Sequence, residues 1–591
     1  MTVNATIRTR ARVACLALLL VVVPGFAKEP STASRPAGAA ISTAHFAATA
    51  AGHEILGKGG NAFDAAVAVS AALSVVEPVS SGIGGGGFFL LREARSGRDV
   101  FVDARETAPA SANPAMYLRP DGELDTDKAT NGPTSAGIPG LPAALVHMAT
   151  KYGRLPLATS LAPAIRLARD GLKVYPRLES AYASRQAVME RYRGTRDVFL
   201  ADGDPPQVGE TFRQPELART LERIAAQGRD GFYRGETARL MLADVKRYGG
   251  NWSQSDLDGY AVKEREPLHI RYRDFDLVTA PPPSSGGVVL AEILQILEGW
   301  DLARLDEATR VHLVVESMRR AYRDRGVYLG DPDFVQMPIE RLTSDDYAAG
   351  LRTSIHPSKA TPSALLPTGE PMQEGSGNTT HFSIIDAEGN LVAATQTVNL
   401  GYGSGMVVRG TGILLNDEMD DFALKPGTPN DFGVIGFDAN AVAPGRRMLS
   451  SMSPTFMIGR DRIAVVGAKG GSRIITMVLL GLLGIEQGMD PAQIAAMPRY
   501  HHQYLPDRIV AEPGSISPEA LRKLAAMGHE VQESGTPWTA LLHAADWNLR
   551  DNSVRAGADP RNPSGSATVV PKESVKEAVK EAVKDTEAAT P

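Results

Sequence analysis

The sequence predicts a protein of the mixed α/β class that can bury a large core, although its length alone would suggest several domains. It has 591 residues, of which 43% are hydrophobic, so there is enough apolar material for an extensive interior. Phe63, Ala66 and Val67 recur at helical spacing, whereas residues 379–397 alternate as a strand pair does. The net charge of −6 argues against nucleic acid as a partner.

The first 27 residues are typical of an export signal. Arg8, Arg10 and Arg12 precede the apolar run VACLALLLVVV, and a small-residue cleavage site follows at Ala27. The run is shorter than the roughly 20 residues that span a bilayer, although an uncleaved anchor is the alternative. Cys15, the single cysteine of the chain, lies inside this segment. We therefore expect a periplasmic or secreted protein without disulfides, thiol nucleophile or cysteine metal site.

The remaining elements follow in order. Residues 31–78 predict two helices, and residues 80–109 a glycine turn with two strands. Residues 140–350 are predicted to be largely helical, with strands around 268–287. Residues 352–377 have the composition of an exposed, flexible connection, and strand signals dominate from 379 to 470. A helix is predicted to begin near Ser472 and strand-like sequence at 554–570, while about 571–591 predict a disordered or partly helical tail.

Several common motifs do not fit their structural context. Gly82, Gly84 and Gly87 satisfy a dinucleotide-binding pattern, but here a helix precedes the glycines and a strand follows, which is the reverse of that fold. His501 and His502 are adjacent and have no ligand residue at helical spacing, so a zinc site is not predicted. No G-x-S-x-G elbow is present.

Residues 379–397 predict a hairpin whose turn is centred on Glu388. This register pairs Ile385 with Leu391, Ser383 with Ala393, and Thr379 with Thr397 at the open end. A structural pair of threonines is one interpretation. The other is that Thr379 is a hidden N-terminus, because a cut before it would place a basic α-amine beside its hydroxyl.

The rest of the chain favours the second interpretation. The motifs GGNAFDAAVA, SGIGGGGFFLLR, DARETAP, PPPSSGG, NTTHFSIID, GILLNDEMDDF, LSSMSP and GGSRIIT occur in this order. In that set and order the chain resembles the bacterial γ-glutamyltransferases (γ-glutamyltranspeptidases) of the N-terminal nucleophile hydrolases, from about residue 38 to 570. The resemblance implies an αββα sandwich, a single intertwined core built from two autocleaved segments.

The resemblance also implies residue roles. Cleavage would fall between Asn378 and Thr379, giving a large subunit of residues 28–378 and a small subunit of residues 379–591. Thr379 would be the nucleophile and Thr397 its hydrogen-bonding partner, while Gly470 and Gly471 would form the oxyanion hole. For the donor substrate, the implied carboxylate ligands are Arg105, Ser450 and Ser451, and the implied ammonium ligands are Asn399, Glu418 and Asp421. Phe432 stands where relatives often place a tyrosine gate.

The implied activity is cleavage of glutathione and other γ-glutamyl amides. A γ-glutamyl ester of Thr379 would pass to water or to an amino acid or peptide acceptor, without metal or organic cofactor. The two subunits would remain together as a heterodimer. The alternatives are a cephalosporin (glutaryl) acylase-like enzyme and an unprocessed binding protein on the same fold.

Overall fold

Strands and helices alternate along the described part of the chain. A computed structural model describes residues 35–200, 204–366, 378–535, 538 and 540–573. From Arg35 onward these residues belong to one compact unit. The predicted signal segment, residues 367–377 of the predicted connection and residues 574–591 of the predicted tail lie outside the described residues. Within that coverage, every helix is too short or too polar to serve as a bilayer span.

Twenty strands occur in the described residues. The first ten are β1 (Gly38–Thr43), β2 (Gly86–Arg92), β3 (Asp99–Ala104), β4 (Leu172–Lys173), β5 (Thr211–Phe212), β6 (Lys263–Arg265), β7 (Leu268–Tyr272), β8 (Phe275–Thr279), β9 (Thr380–Ile385) and β10 (Leu391–Thr397). The next ten are β11 (Val407–Val408), β12 (Ile413–Leu414), β13 (Thr455–Ile458), β14 (Arg462–Ala468), β15 (Tyr500–His501), β16 (Ile509–Ala511), β17 (Val531–Glu533), β18 (Leu542–Asn548), β19 (Val554–Ala558) and β20 (Ser566–Pro571).

The α-helices lie mostly before residue 354. The first nine are α1 (Phe46–Gly57), α2 (Ala62–Val76), α3 (Thr126–Thr130), α4 (Leu141–Lys151), α5 (Leu157–Asp170), α6 (Pro176–Met189), α7 (Arg193–Phe199), α8 (Pro215–Gln227) and α9 (Asp230–Tyr233). The others are α10 (Gly235–Arg247), α11 (Gln254–Gly259), α12 (Gly286–Leu297), α13 (Glu307–Tyr328), α14 (Ile339–Leu342), α15 (Asp345–Thr353), α16 (Arg473–Glu486), α17 (Pro491–Ala496) and α18 (Pro518–Met527).

Two antiparallel sheets form the centre of the fold. One has seven strands in the order β20-β1-β9-β10-β2-β3-β6, and the other has six in the order β19-β18-β14-β13-β8-β7. All neighbours in the second sheet also run antiparallel. Each sheet combines strands from both sides of the Asn378–Thr379 bond. The two predicted subunits therefore share one core rather than forming separate domains.

The buried side chains of the two sheets define four layers. On one face of the seven-stranded sheet, Phe89 and Val392 pack against helices α1 and α2. On its other face, Phe88 and Leu391 meet the six-stranded sheet, which is covered in turn by α12 and α16. This is the predicted αββα sandwich. It exists because strands that are apolar on both faces need a covering layer on each side.

The hairpin register is as the sequence predicts. Ile385 pairs with Leu391 and Ser383 with Ala393, so Thr379 and Thr397 meet at the open end. The prediction of only two helices over residues 31–78 was incomplete, because Gly38–Thr43 forms the strand β1. Pairing with β9 and β20 on its two sides determines this strand, and its small residues carry no strand periodicity of their own.

The glycine turn before β2 has a steric explanation. A Cβ on Gly84 would lie 2.0 Å from the carbonyl oxygen of Leu414, and one on Gly85 would lie 2.0 Å from that of Thr397. These glycines let the chain pass directly beside the end of β10. They support the rejection of a nucleotide-binding loop.

Candidate active site

The predicted site residues come together because several strands end at the same edge of the sandwich. Thr379 precedes β9, Thr397 ends β10, and Arg105 follows β3, whose end is paired with the start of β2. In the other sheet, the start of β13 and the end of β14 reach this edge. One cavity there is lined by nine of the predicted residues: Arg105, Thr379, Thr397, Asn399, Glu418, Asp421, Ser450, Ser451 and Gly471. Gly470 is next to Gly471 in the chain.

Thr379 lies against the peptide bond that precedes it, which is intact in this structure. Its hydroxyl is 2.8 Å from the carbonyl oxygen of Asn378 and 3.4 Å from the hydroxyl of Thr397. Thr397 also donates to the Asn378 carbonyl oxygen, at 3.2 Å. Two hydroxyls therefore contact one carbonyl group, one of them on the residue that follows it. This arrangement suits attack by the Thr379 hydroxyl on the carbonyl carbon.

Asn399 connects the end of β10 to the Asn378–Thr379 segment. Its backbone N–H donates to the Thr397 hydroxyl at 2.7 Å, and its carbonyl accepts from the Asn378 N–H at 3.3 Å. Its side chain donates to the carbonyl of Asp417 at 3.0 Å. The residue adopts a φ of 77°, a left-handed conformation that is uncommon outside glycine. Such strain occurs often at functional sites, where surrounding contacts maintain it.

The turn between β14 and α16 places two glycines at the cavity. Gly470 has a φ of 134° and Gly471 a φ of 61°, conformations that favour glycine. A Cβ on Gly471 would lie 2.8 Å from the ring of Phe432, so the ring packs directly on this turn. Backbone N–H groups at a strand-to-helix turn can stabilise a developing oxyanion.

The guanidinium of Arg105 is paired with the two predicted ammonium ligands. It donates through one terminal nitrogen to Glu418 and through the other to Asp421, and its Nε donates to the carbonyl of Met448 at 3.2 Å. These opposite charges neutralise one another, because a buried charge is stable only when it is paired.

Carboxyl groups outnumber cations around this guanidinium. Glu106 is fully buried, lies 3.8 Å from Arg105 and has no hydrogen-bond partner for either carboxyl oxygen. Burial raises its pKa to about 7, against the opposing effect of Arg105. Burial also raises the pKa of Glu418, whose second oxygen, Oε1, has no hydrogen-bond partner either. The site is thus suited to accept an additional cationic group.

The predicted serines lie opposite these acids. The Ser450 hydroxyl accepts from the Met452 N–H at 3.1 Å, and the Ser451 hydroxyl accepts from Arg325 at 3.2 Å. Arg325 lines the cavity and was not predicted from the sequence. It lies in α13, an arginine-rich helix in which sequence alone gives no reason to single it out.

A second charged group missed by the sequence analysis lies behind Asn378. It consists of Glu77, Ser80, Arg177 and Lys469, and Arg177 donates to the Asn378 side chain at 3.0 Å. Lys469 immediately precedes the two glycines of the turn. A lysine directly after an apolar strand could have indicated this group from the sequence, because a buried lysine requires partners.

The adjacent histidines His501 and His502 contact other side chains of the protein. His501 bonds to Thr476 and Gln503, and His502 lies 3.4 Å from Asp507. A separate buried group, His312, Glu316 and His529, has a spacing that could hold a metal. Its atoms are already engaged, however, since His312 contacts His529 and the His356 carbonyl, and Glu316 contacts Arg319 and Arg320.

Comparison with known proteins identifies the family of this chain. The sequence profile described as gamma-glutamyltranspeptidase matches residues 48–569. This chain belongs to the gamma-glutamyltranspeptidase family. Within it, the chain is 44% identical over 495 residues to a glutathione hydrolase proenzyme of Pseudomonas sp. strain A14, covering 83% of this chain and 86% of that protein.

Acylases also resemble this chain. It is 35% identical over 518 residues to the acylase ACY 1 proenzyme of Pseudomonas sp. strain V22, covering 86% of this chain and 89% of that protein. The crystal structure of cephalosporin acylase from Bacillus halodurans superposes with a TM-score of 0.80 at 29% identity, covering 93% of this chain and 99% of that one. This chain therefore resembles both kinds of enzyme over most of its length. The side chains of the cavity have to distinguish between the two activities.

Proposed function

We propose that this chain is a self-processing γ-glutamyltransferase and glutathione hydrolase with Thr379 as its nucleophile. The observation that carries the proposal is the contact of the Thr379 hydroxyl with the Asn378 carbonyl and with Thr397, beside a cavity that contains a paired arginine and two acids. The proenzyme relatives in the same family support it.

Maturation would proceed by rearrangement of one peptide bond. The Thr379 oxygen attacks the Asn378 carbonyl carbon through a five-membered ring, and the Asn378–Thr379 C–N bond breaks. The hydroxyl proton passes to the departing nitrogen, which becomes the free α-amine. Water then hydrolyses the resulting ester, leaving an Asn378 carboxylate and a free Thr379 hydroxyl. Thr397, which donates to the carbonyl oxygen, polarises it for attack.

Catalysis would use the same hydroxyl on a γ-glutamyl amide. The new α-amine takes the hydroxyl proton, the oxygen attacks the γ-carbonyl carbon, and the amide C–N bond breaks as the amine product takes a proton. The N–H groups of the Gly470–Gly471 turn would stabilise the tetrahedral oxyanion. The γ-glutamyl group is then transferred from Thr379 to water or to the amine of an amino acid or peptide acceptor, which restores the Thr379 hydroxyl.

Recognition of the donor would exchange ion pairs within the cavity. Arg105, with Ser450 and Ser451, would bind the α-carboxylate, since a planar guanidinium suits bidentate binding of a carboxylate. Glu418, Asp421 and Asn399 would bind the α-ammonium. A zwitterionic donor brings one carboxylate and one ammonium group. When Arg105 binds the carboxylate, Glu418 and Asp421 would bind the ammonium in its place. A glutaryl group lacks that cation, which favours the transferase over the acylase alternative.

The predicted export and subunit organisation complete the proposal. We propose that residues 1–27 are removed on export to the periplasm or medium. The segments 28–378 and 379–591 would then remain together as a heterodimer, because each central sheet uses strands from both.

The test combines mass and activity. Wild-type protein is expected as two chains, the smaller beginning Thr-Thr-His-Phe, and Thr379→Ala as one inactive chain by intact mass measurement. Wild type is expected to prefer a γ-glutamyl anilide over a glutaryl anilide. Self-cleavage by Thr379 is wrong if the alanine variant splits at the same bond without added protease. The acylase assignment replaces the transferase if wild type prefers the glutaryl compound.

A further inference from the structure

The Asn378 side chain is held by a charged group that takes no part in the proposed donor site. We call Glu77, Ser80, Arg177 and Lys469 the Glu77 cluster. Glu77 follows the last turn of α2, Arg177 lies in the first turn of α6, and Lys469 directly follows β14 before the glycine turn. The cluster therefore joins both predicted subunits at a point directly behind the scissile bond.

Arg177 makes the contacts that connect this cluster to the cleavage site. One terminal nitrogen donates to Glu77 at 2.8 Å, and the other donates to Ser80 at 3.0 Å and to the Asn378 side-chain oxygen at 3.0 Å. The Lys469 ammonium donates to the same Ser80 hydroxyl at 3.1 Å and lies 4.0 Å from Glu77. The guanidinium is thus fixed by Glu77 and Ser80, and the terminal nitrogen that donates to Ser80 also donates to Asn378.

Burial makes this arrangement specific. The side chains of Glu77 and Lys469 are 1% and 0% exposed, so neither can exchange its partners for water. Although burial opposes ionisation of Glu77, Lys469 and Arg177 lower its pKa. Arg177 and Lys469 both lie beside this single carboxylate, although burial lowers the pKa of Lys469 to about 7. The guanidinium has more N–H groups than Glu77 and Ser80 accept, and the Asn378 amide oxygen accepts from one of them.

The precursor needs such a device more than the mature enzyme does. Before cleavage the Thr379 nitrogen is part of the peptide bond and cannot serve as a base, so correct positioning of the bond has to contribute more to the rate. Thr397 holds the Asn378 carbonyl oxygen, and Arg177 holds the side chain of the same residue. Contacts on both sides of its Cα fix the orientation of the scissile carbonyl.

We propose that Arg177, held in place by Glu77, Ser80 and Lys469, is a positioning residue for self-cleavage that acts through the side chain of Asn378. The inference rests on the proposed function, because it requires that Thr379 cleaves its own preceding bond. It also assigns a role to the side chain at position 378, which needs an oxygen that can accept a hydrogen bond from Arg177 for efficient self-cleavage.

The experiment is a double-mutant cycle on the rate of maturation of the full-length chain. Wild type, Arg177→Met, Asn378→Ala and the double variant are synthesised in a short pulse, and conversion to two chains is followed by intact mass. Each single variant is expected to slow cleavage about tenfold, which corresponds to ~1.4 kcal/mol of activation free energy. The double variant is expected to be no slower than either single variant, because both remove the same contact.

Further variants separate positioning from folding. Arg177→Lys retains a donor and is expected to recover part of the rate, and Asn378→Asp retains the acceptor oxygen and is expected to cleave near the wild-type rate. Arg185→Met is the matched control: Arg185 lies on the same helix, but it bonds to Asn131 and to the Gly403 carbonyl. It is expected to leave the maturation rate unchanged. If Arg177→Met does not fold, the two Asn378 variants provide the test: slow cleavage of Asn378→Ala with near wild-type cleavage of Asn378→Asp supports the contact, and equal rates of the two variants contradict it.

The possible outcomes are distinct. Additive slowing in the double variant, or equal slowing by Arg185→Met, would overturn the role of Arg177, since both point to a general effect on folding. Wild-type rates in both single variants would do the same. Cleavage of Thr379→Ala, run in parallel, would instead contradict the proposed function, so the two failures can be told apart.

Discussion

The hydroxyls of Thr379 and Thr397 lie 3.4 Å apart across the open end of a hairpin. The two residues are separated by eighteen positions, and both hydroxyls contact the carbonyl oxygen of Asn378. Thr397 in addition accepts the N–H of Asn399. This pair places the proposed nucleophile, its proposed partner and the peptide bond that we propose is cleaved first in one contact group.

Thr397→Val is therefore expected to slow both self-cleavage and donor turnover. Valine has the same shape but cannot donate to the Asn378 carbonyl oxygen, where negative charge develops during attack, so the barrier is expected to rise by about 1–3 kcal/mol, or about 5-fold to 150-fold in rate. Thr395→Val is the control, since Thr395 is buried on the same strand but bonds to His381. Maturation half-time and kcat/KM would be measured for both, and equal losses in the two variants would contradict a specific role of Thr397.

Arg105→Lys is expected to weaken donor binding more than folding. Lysine keeps the charge but cannot bridge two oxygens as a guanidinium does. Lost hydrogen bonds to a charged group correspond to about 1.5–3 kcal/mol, or roughly 10-fold to 160-fold in kcat/KM at subsaturating γ-glutamyl anilide. Arg447→Lys is the control, because Arg447 is equally buried but pairs with Asp103 outside the cavity. Unchanged activity of Arg105→Lys would remove this residue from donor binding.

Asp421→Asn is expected to reduce the preference for an α-ammonium group. The variant should lower kcat/KM for a γ-glutamyl anilide and narrow its advantage over a glutaryl anilide, because one of the two acids that would bind the ammonium is lost. Asp420→Asn is the control, because Asp420 is in the same turn as Asp421 but does not line the cavity. Its side chain accepts instead from the Asp431 N–H. A constant ratio between the two substrates in Asp421→Asn would contradict the ammonium site.

Glu106→Gln is expected to remove a pH dependence of donor binding. The raised pKa of about 7 means that Glu106 is neutral below pH 7 and charged above it. Once ionised, it competes with the donor carboxylate for Arg105 at 3.8 Å, so the donor KM should rise as pH increases through 7. We expect a change of up to about tenfold, equivalent to one pKa unit of interaction.

The measurement is the donor KM at about one pH unit below and above this pKa. Wild type should show the increase, and Glu106→Gln should be nearly flat. Glu292→Gln is the control, because burial also raises the pKa of Glu292, in a helix away from the cavity. An increase of the same size in Glu106→Gln would assign the titration to another group.

Much of the site could be predicted because its determinants are local. The hairpin register follows from alternation on the two sides of Glu388, and it correctly places Thr379 opposite Thr397. The glycines at 470 and 471 are recognisable from their position between a strand and a helix, where left-handed backbone is needed. The ordered motifs identified the family and its αββα fold, which the comparisons confirm.

Other features depend on contacts between distant segments. Strand β1 was missed because its residues form a strand only between β9 and β20. The pairing of Arg105 with Glu418 and Asp421 joins residues more than 300 positions apart, and low exposure to water is what makes the pairing necessary.

The sequence by itself determined the fold class, the hairpin and the family with its expected nucleophile, because local periodicity and the order of the motifs specify them. Only the tertiary structure decided which charges meet. It brought Arg177 of α6, Glu77 after α2 and Lys469 after β14 to one side of Asn378. Charge pairing in a buried region depends on desolvation and distance, and neither quantity is encoded in any short stretch of the chain.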